Sequence, residues 1–191
     1  VLSYCNTGGF GIDGGISSLI GASMVNQQSL FFGVFGDLLF FYDMNSLGNR
    51  DIKPNLRIIV INNGLGQEFK NVSFPGSLVF GDDIDKFTAA KGHFACQSKT
   101  LVKDYAENLG FEYLTASNKE EFAEVYKRFI SKELTERPML FEIFTDTKDE
   151  TQANYSITSI ELKSKFVRKV HDTLMKPELV AVKNLAKKIV K

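Results

Sequence analysis

The chain has almost no cysteine, no tryptophan, no long apolar run and no net charge. Its two cysteines, Cys5 and Cys96, are too few for a disulfide framework and lack the spacing of a metal knuckle, so reduced thiols are expected. No stretch approaches the roughly 20 uninterrupted apolar residues a membrane helix requires, and the first residues lack the charged-then-apolar pattern of a signal peptide. A soluble, cytoplasmic protein with no membrane partner is expected. Lys and Arg together number 23, as do Asp and Glu, and this balance argues against a nucleic-acid partner. What remains is a chain of 191 residues, 43% apolar, long enough for one α/β domain with a sizeable core. The balance hides an asymmetry. Residues 161–191 hold nine basic side chains against three acidic ones, so a tail of net charge +6 follows a segment of −6.

Apolar runs rich in β-branched and aromatic residues alternate with helical patterns, the signature of a parallel α/β sheet. Strands are predicted at Leu30–Phe35, Leu56–Asn62, Tyr113–Thr115 and Met139–Phe144, with an edge strand at Val1–Cys5. The run from Arg57 to Ile61 has no polar face and belongs in the middle of a sheet covered on both sides. Helices are predicted from Gly14 to Val25, from Asp37 to Leu47, and from Leu101 to Leu109 with a stop at Gly110. A capping box, Ser117-Asn118-Lys119-Glu120, opens another helix whose apolar positions are Phe122, Val125, Tyr126 and Phe129. Residues 64–98 are glycine-rich and aperiodic, so a long loop around one or two short helices is expected, and loops of that length are usually functional. After Thr145 a polar linker leads to two basic helices, Ile157–Met175 and Pro177–Val190. The expected fold is a doubly wound parallel sheet of five or six strands over residues 1–150, with a basic helical extension over 151–191.

The chemistry concentrates at Phe35-Gly36-Asp37-Leu38 and Ile61-Asn62-Asn63-Gly64. Both lie where a strand ends, at the carboxyl edge of a parallel sheet, where open α/β folds bind ligands. Asp37 offers a carboxylate and Asn63 a side-chain carbonyl, and a backbone carbonyl just beyond completes a hard-oxygen face for Mg²⁺. A helix opening after Gly36 would turn N–H groups towards the phosphates of a ligand. Each element alone is also an ordinary turn. Their pairing on consecutive strand ends, with a glycine-rich segment upstream, is what makes the reading specific.

These residues resemble the motif of the diphosphate-binding domain of thiamine-diphosphate-dependent enzymes. Gly36-Asp37-Leu38 through Asp43, Asn45 and Leu47 is similar to the Gly-Asp-Leu-Ser…Asp-Leu-Asn…Leu signature of one branch, the menaquinone-pathway synthases that join 2-oxoglutarate to isochorismate. Gly11-Ile12-Asp13-Gly14 matches that branch's Gly-Ile-Asp-Gly, and Asn62 to Phe69 resembles its Asn-Asn-Asn-Gly-Gly-Gln-Ile-Phe. The resemblance spans roughly residues 3–145. It implies Mg²⁺ ligation by Asp37, Asn63 and the Leu65 carbonyl. It also implies thiamine-diphosphate contacts from Gly11, Ile12, Gly36, Leu38, Gly66 and Gln67. Ile12 stands 25 residues before Asp37, where such enzymes place an apolar side chain under the bent cofactor; ordinary core is the alternative. His93 is a candidate for proton transfer at neutral pH or else a loop histidine with a structural hydrogen bond, and His171 is a surface residue.

Two departures bear on substrate. Leu39 stands where most relatives have a serine that contacts the diphosphate, a hydrogen bond of roughly 1 kcal/mol net. Thr7 stands where the menaquinone branch has an arginine that clamps a carboxylated substrate, which threonine cannot mimic. The family also activates its cofactor with a glutamate from a separate pyrimidine-binding domain, for which 191 residues leave no room. The chain is therefore expected to be the C-terminal piece of a longer enzyme, or one subunit of a two-chain enzyme, and to be inactive alone. The resemblance implies a homodimer or larger assembly. Three alternatives stay open: a decarboxylase or acetolactate-synthase-like carboligase of another pathway, such as surface-polysaccharide biosynthesis; a non-catalytic module of the same fold; and a nucleotide-binding domain.

Overall fold

A computed structural model of the chain describes residues 2–5, 12–70, 74–158 and 160, with the side chains at 96, 97, 155 and 158 left aside. Thr7, Gly11, His171 and nearly all of the two basic tail helices lie outside the described residues. The chain divides into two units, residues 1–147 and 148–191.

In the first unit, α1 (Gly15–Val25) leads to β1 (Phe31–Gly36), which turns directly into α2 (Asp37–Asp43) and a 3-10 turn over Met44–Gly48. β2 (Leu56–Asn62) follows, and then the long segment with α3 (Gln67–Lys70), α4 (Pro75–Phe80) and 3-10 turns at Gly81–Lys86 and Phe94–Gln97. The unit continues through α5 (Leu101–Asn108), β3 (Glu112–Ala116), α6 (Lys119–Phe129) and β4 (Met139–Phe144). The strands form one parallel sheet in the order β1-β2-β4-β3. Among the described residues the sheet therefore has four strands rather than five or six. The expected edge strand at Val1–Cys5 does not form over residues 2–5, where the side chains of Leu2 and Tyr4 stand in solvent and no ladder partner is present.

Both faces of the sheet are covered, as parallel sheets require. On one face Leu56, Ile58, Val60 and Leu140 meet Ile16 and Ile20 of α1, Phe40 and Phe41 of α2, and Val102 and Ala106 of α5. On the other, Ile59, Met139, Phe141 and Ile143 meet Val125, Tyr126 and Phe129 of α6. The two-residue pleat of a strand assigns alternate residues of β2 and β4 to these cores. Arg57 is the exception in the apolar run: fully buried on the α6 side, it donates to the carbonyls of Phe129, Ser131 and Glu133 at the end of that helix.

The capping box sits one residue later than expected. Asn118 is the N-cap, accepting from the Glu121 N–H at 2.8 Å, while the Glu121 carboxylate accepts from the Ser117 N–H at 2.7 Å. Ser117 and Asn118 are both good caps, and the turn out of β3 selects Asn118. In the second unit, α7 (Thr147–Thr158) occupies the stretch expected to be a polar linker. No helix of the described residues is long and apolar enough to cross a membrane.

Candidate functional site

The fold brings Asp37 and the turn after β2 together. β1 and β2 pair in parallel up to Gly36 opposite Ile61, so the residues that follow them emerge side by side. Asp37 is buried at 2% exposure, an environment that a carboxylate tolerates only with partners. Its Oδ2 accepts the Gly64 N–H at 2.7 Å and its Oδ1 accepts the Leu38 N–H at 2.7 Å. The carboxylate therefore ties the end of β1 to the turn beyond β2. The Leu38 N–H, expected to face a phosphate, is engaged by Asp37 in this arrangement.

Asn63 shapes the same turn, its Oδ1 accepting the Leu65 N–H at 2.8 Å. Gly64 adopts φ +73°, and the long loop folds back to clamp the turn. Gly66 donates its N–H to Ala90 O at 3.2 Å, and a Cβ on Gly66 would collide with the Ala89 carbonyl. Gly92, at φ +76°, approaches so closely that a Cβ there would lie 2.8 Å from Gly64 O. Gln67 opens α3 immediately after the clamp. Gly36 differs from these glycines. Its backbone is extended, which any residue accepts, and a Cβ on it would meet nothing within 4 Å. Glycine at this position is not required by the fold and leaves open space beside Asp37.

The donor set suits a hard cation. Asp37, Asn63 and the Leu65 carbonyl offer oxygen only, in the small number that Mg²⁺ takes from protein while keeping phosphate and water ligands. Among the described residues no group of three or more His, Cys, Asp or Glu side chains could hold a metal.

Ile12 is half-buried in a bend ahead of α1, outside both apolar cores. Leu39 packs inward against the bare backbone of Gly15, which leaves a Cβ only 3.2 Å of separation. Its side chain therefore completes the α1–α2 contact. His93 stacks on Phe41, one turn into α2, with ring centroids 5.2 Å apart, and its Nδ1 accepts the Ala95 N–H at 3.0 Å. The neutral imidazole accordingly carries its proton on Nε2.

Glu142 is a residue the sequence reading passed over. It is fully buried on β4, with Oε1 accepting from Asn62 Nδ2 at 2.7 Å and Oε2 accepting from the Tyr113 hydroxyl at 2.7 Å. Burial pushes its carboxyl above the usual range and the charge of Asp37 adds to this, while the bonds from Asn62 and Tyr113 oppose it. Burial and the bond to Glu142 likewise raise the Tyr113 phenol. The available signal was one acid inside the otherwise apolar run Met139–Phe144.

No protein-family model matches the chain. It is similar to curated proteins named 2-succinyl-5-enolpyruvyl-6-hydroxy-3-cyclohexene-1-carboxylate synthase. It is 38% identical to the protein of Bacteroides thetaiotaomicron over 148 residues, and 37% identical to that of Phocaeicola vulgatus over 147 residues. With the protein of Christiangramia forsetii the identity is 36% over 154 residues. These matches take in 77–80% of this chain and 25% of each relative. The chain thus spans about a quarter of the length of the curated relatives it resembles, and over most of its own length it is similar to proteins of that name.

Proposed function

We propose that the chain is the diphosphate- and Mg²⁺-binding domain of a thiamine-diphosphate-dependent enzyme of the 2-succinyl-5-enolpyruvyl-6-hydroxy-3-cyclohexene-1-carboxylate synthase type, which acts in menaquinone biosynthesis. The observation that carries the reading is the convergence of Asp37 with the Asn62–Leu65 turn at neighbouring parallel strand ends. Similarity to proteins of that name supports it.

In this reading Asp37, Asn63 and the Leu65 carbonyl hold the ion. Gly36 leaves room for the diphosphate, and the Gly66–Gln67 segment borders it. Ile12, half-buried in the bend ahead of α1, and Gly11 before it in sequence would contact the cofactor in this reading. When bound, thiamine diphosphate supplies the electron sink for decarboxylating a 2-oxoacid and passing the remainder to an acceptor. The chain's own residues bind and orient. Asp37, Asn63 and the Leu65 carbonyl would hold the divalent ion that neutralises the diphosphate. The His93 Nε2 is the one imidazole proton in the long loop available for exchange. A pyrimidine-binding domain and a second subunit are the partners in this reading, and the 191 residues by themselves are expected to give no turnover.

Isothermal titration of the full-length polypeptide with thiamine diphosphate tests the site. Binding is expected to require Mg²⁺, and Asp37→Ala is expected to weaken it about 100-fold or more, since it removes both an ion ligand and the acceptor that holds the Gly64 N–H. Unchanged Mg²⁺-dependent affinity in Asp37→Ala would remove the assignment.

A second reading is a carboligase or decarboxylase of another pathway. Thr7, in the place of a substrate-clamping arginine, favours it. Turnover of 2-oxoglutarate plus isochorismate by the full-length polypeptide decides between them, since no rate above background excludes the menaquinone reaction.

A further inference from the structure

A buried carboxyl group with no cationic partner is an expensive residue to keep in the middle of a sheet, because desolvation opposes its charge and a leucine would fill the same space. Glu142 is such a group, fully buried opposite Val60 in the pairing of β2 with β4. Its hydrogen bonds are directional. Because Oε1 accepts a hydrogen bond from Asn62 Nδ2, the Asn62 amide is held with its Oδ1 turned the other way, where it accepts the Gly64 N–H at 3.2 Å. That same N–H reaches Asp37 Oδ2 at 2.7 Å. Tyr113, from β3, fixes the second carboxyl oxygen, so the acid cannot rotate to release Asn62. A chain of contacts therefore runs from Tyr113 through Glu142, Asn62 and Gly64 to Asp37.

We propose that Glu142 is the positioning residue of the cation-binding turn: its carboxyl group sets the orientation of the Asn62 amide and thereby holds the Asn62–Leu65 backbone where Asp37 and Asn63 can grip one divalent cation. Glu142 touches neither the ion nor the cofactor. Without an acceptor at this position the Asn62 amide orientation is held only by the long 3.2 Å contact from the Gly64 N–H. In the flipped form an NH₂ group would face the Gly64 N–H, and the turn would be pushed away from Asp37. Outer-shell partners of this kind orient ligands and are felt in metal affinity. The proposal rests on the thiamine-diphosphate reading of the site.

The test reads the Mg²⁺ concentration giving half-maximal thiamine-diphosphate binding to the full-length polypeptide by calorimetry, alongside the thermal midpoint of the ligand-free protein. Glu142→Leu is expected to raise that concentration about tenfold or more, the usual size of an outer-shell loss. Glu142→Gln keeps an acceptor for Asn62 and should stay within about twofold of the wild type. Phe141→Ala removes a neighbouring core side chain on the opposite face of β4, so it should lower the thermal midpoint and leave the Mg²⁺ requirement in place. If Glu142→Leu does not fold, Asn62→Ala breaks the same link from the other side and should raise the requirement by a similar factor. An unchanged requirement in Glu142→Leu or Asn62→Ala overturns the proposal, as does an equal shift in Phe141→Ala or a Gln variant as impaired as the Leu one. Wild-type protein that binds thiamine diphosphate without regard to Mg²⁺ overturns the site reading itself.

Discussion

The neighbouring strands β2 and β4 each bury one charged side chain, and they use it differently. At the amino end Arg57 of β2 lies opposite Met139 and spends its guanidinium on three carbonyls at the end of α6, with the Phe32 ring 5.5 Å away. At the carboxyl end Glu142 of β4 lies opposite Val60 and spends its carboxyl on Asn62 and Tyr113. Neither side chain forms a salt bridge among the described residues. Arg57 closes a helix terminus whose carbonyls would otherwise lack donors, whereas Glu142 reaches a turn that carries oxygen ligands. A buried charge at the amino end thus secures the fold, and one at the carboxyl end secures the candidate site. Parallel α/β sheets concentrate ligand binding at the latter end because the loops after successive strands converge there.

The contrast is sharpest in stability. Arg57→Met is expected to remove the donor from the buried Phe129 carbonyl and the part-buried Ser131 and Glu133 carbonyls and to cost about 3 kcal/mol, measured by denaturant unfolding, with the Mg²⁺ requirement of the folded fraction unchanged. A shift in that requirement would erase the distinction between the two ends. Gly66→Ala should act on both readouts, since its Cβ meets the Ala89 carbonyl and forces the clamp open. A loss of about 1–3 kcal/mol, comparable to overpacking elsewhere, is expected together with weaker Mg²⁺-dependent binding.

The smallest effects come from pH. The Glu142 carboxyl is raised in the folded state, so the folded protein holds that proton more tightly than the unfolded chain does. Its contribution to stability is therefore greatest below about pH 4.3, the unfolded value, and falls as pH rises towards the elevated folded value. Glu112 behaves in the opposite sense. The hydrogen bond from Arg128, helped by that residue's charge, lowers its pKa, so its contribution is present above about pH 4.3 and disappears on acidification. The pair with Arg128 is half exposed on the arginine side and worth at most about 1 kcal/mol. Unfolding free energies of Glu142→Gln and Glu112→Gln from pH 3 to pH 8 should differ from the wild type with slopes of opposite sign, and slopes of the same sign would contradict both assignments.

Much of this was readable before any coordinates. Leu56–Asn62 and Met139–Phe144 match β2 and β4 residue for residue, because continuous apolar runs flanked by polar segments have few other folded states. The pairing of Asp37 with the Asn62–Leu65 turn followed from two strand ends in sequence. The misplacements share a cause. Ser117 and Asn118 are equally competent caps, and residues 2–5 have strand-like composition without a neighbour, so local preference could not decide either case. The stretch from 146 to 156 read as linker by polarity, and from Thr147 on it proves to be helix.

The sequence alone determined the order of strands and helices, the apolar faces that make a doubly wound parallel sheet, and the oxygen-bearing residues at its carboxyl edge, because these depend on periodicity and on residue type at strand ends. Only the tertiary structure decided which groups act on which. It engaged the Leu38 N–H with Asp37, seated Leu39 against Gly15 and closed the 89–92 loop over Gly66. It also set Glu142 behind Asn62, 80 residues away in the chain. Hydrogen bonds across such separations have no local signature, since their partners become neighbours only when β4 inserts between β2 and β3.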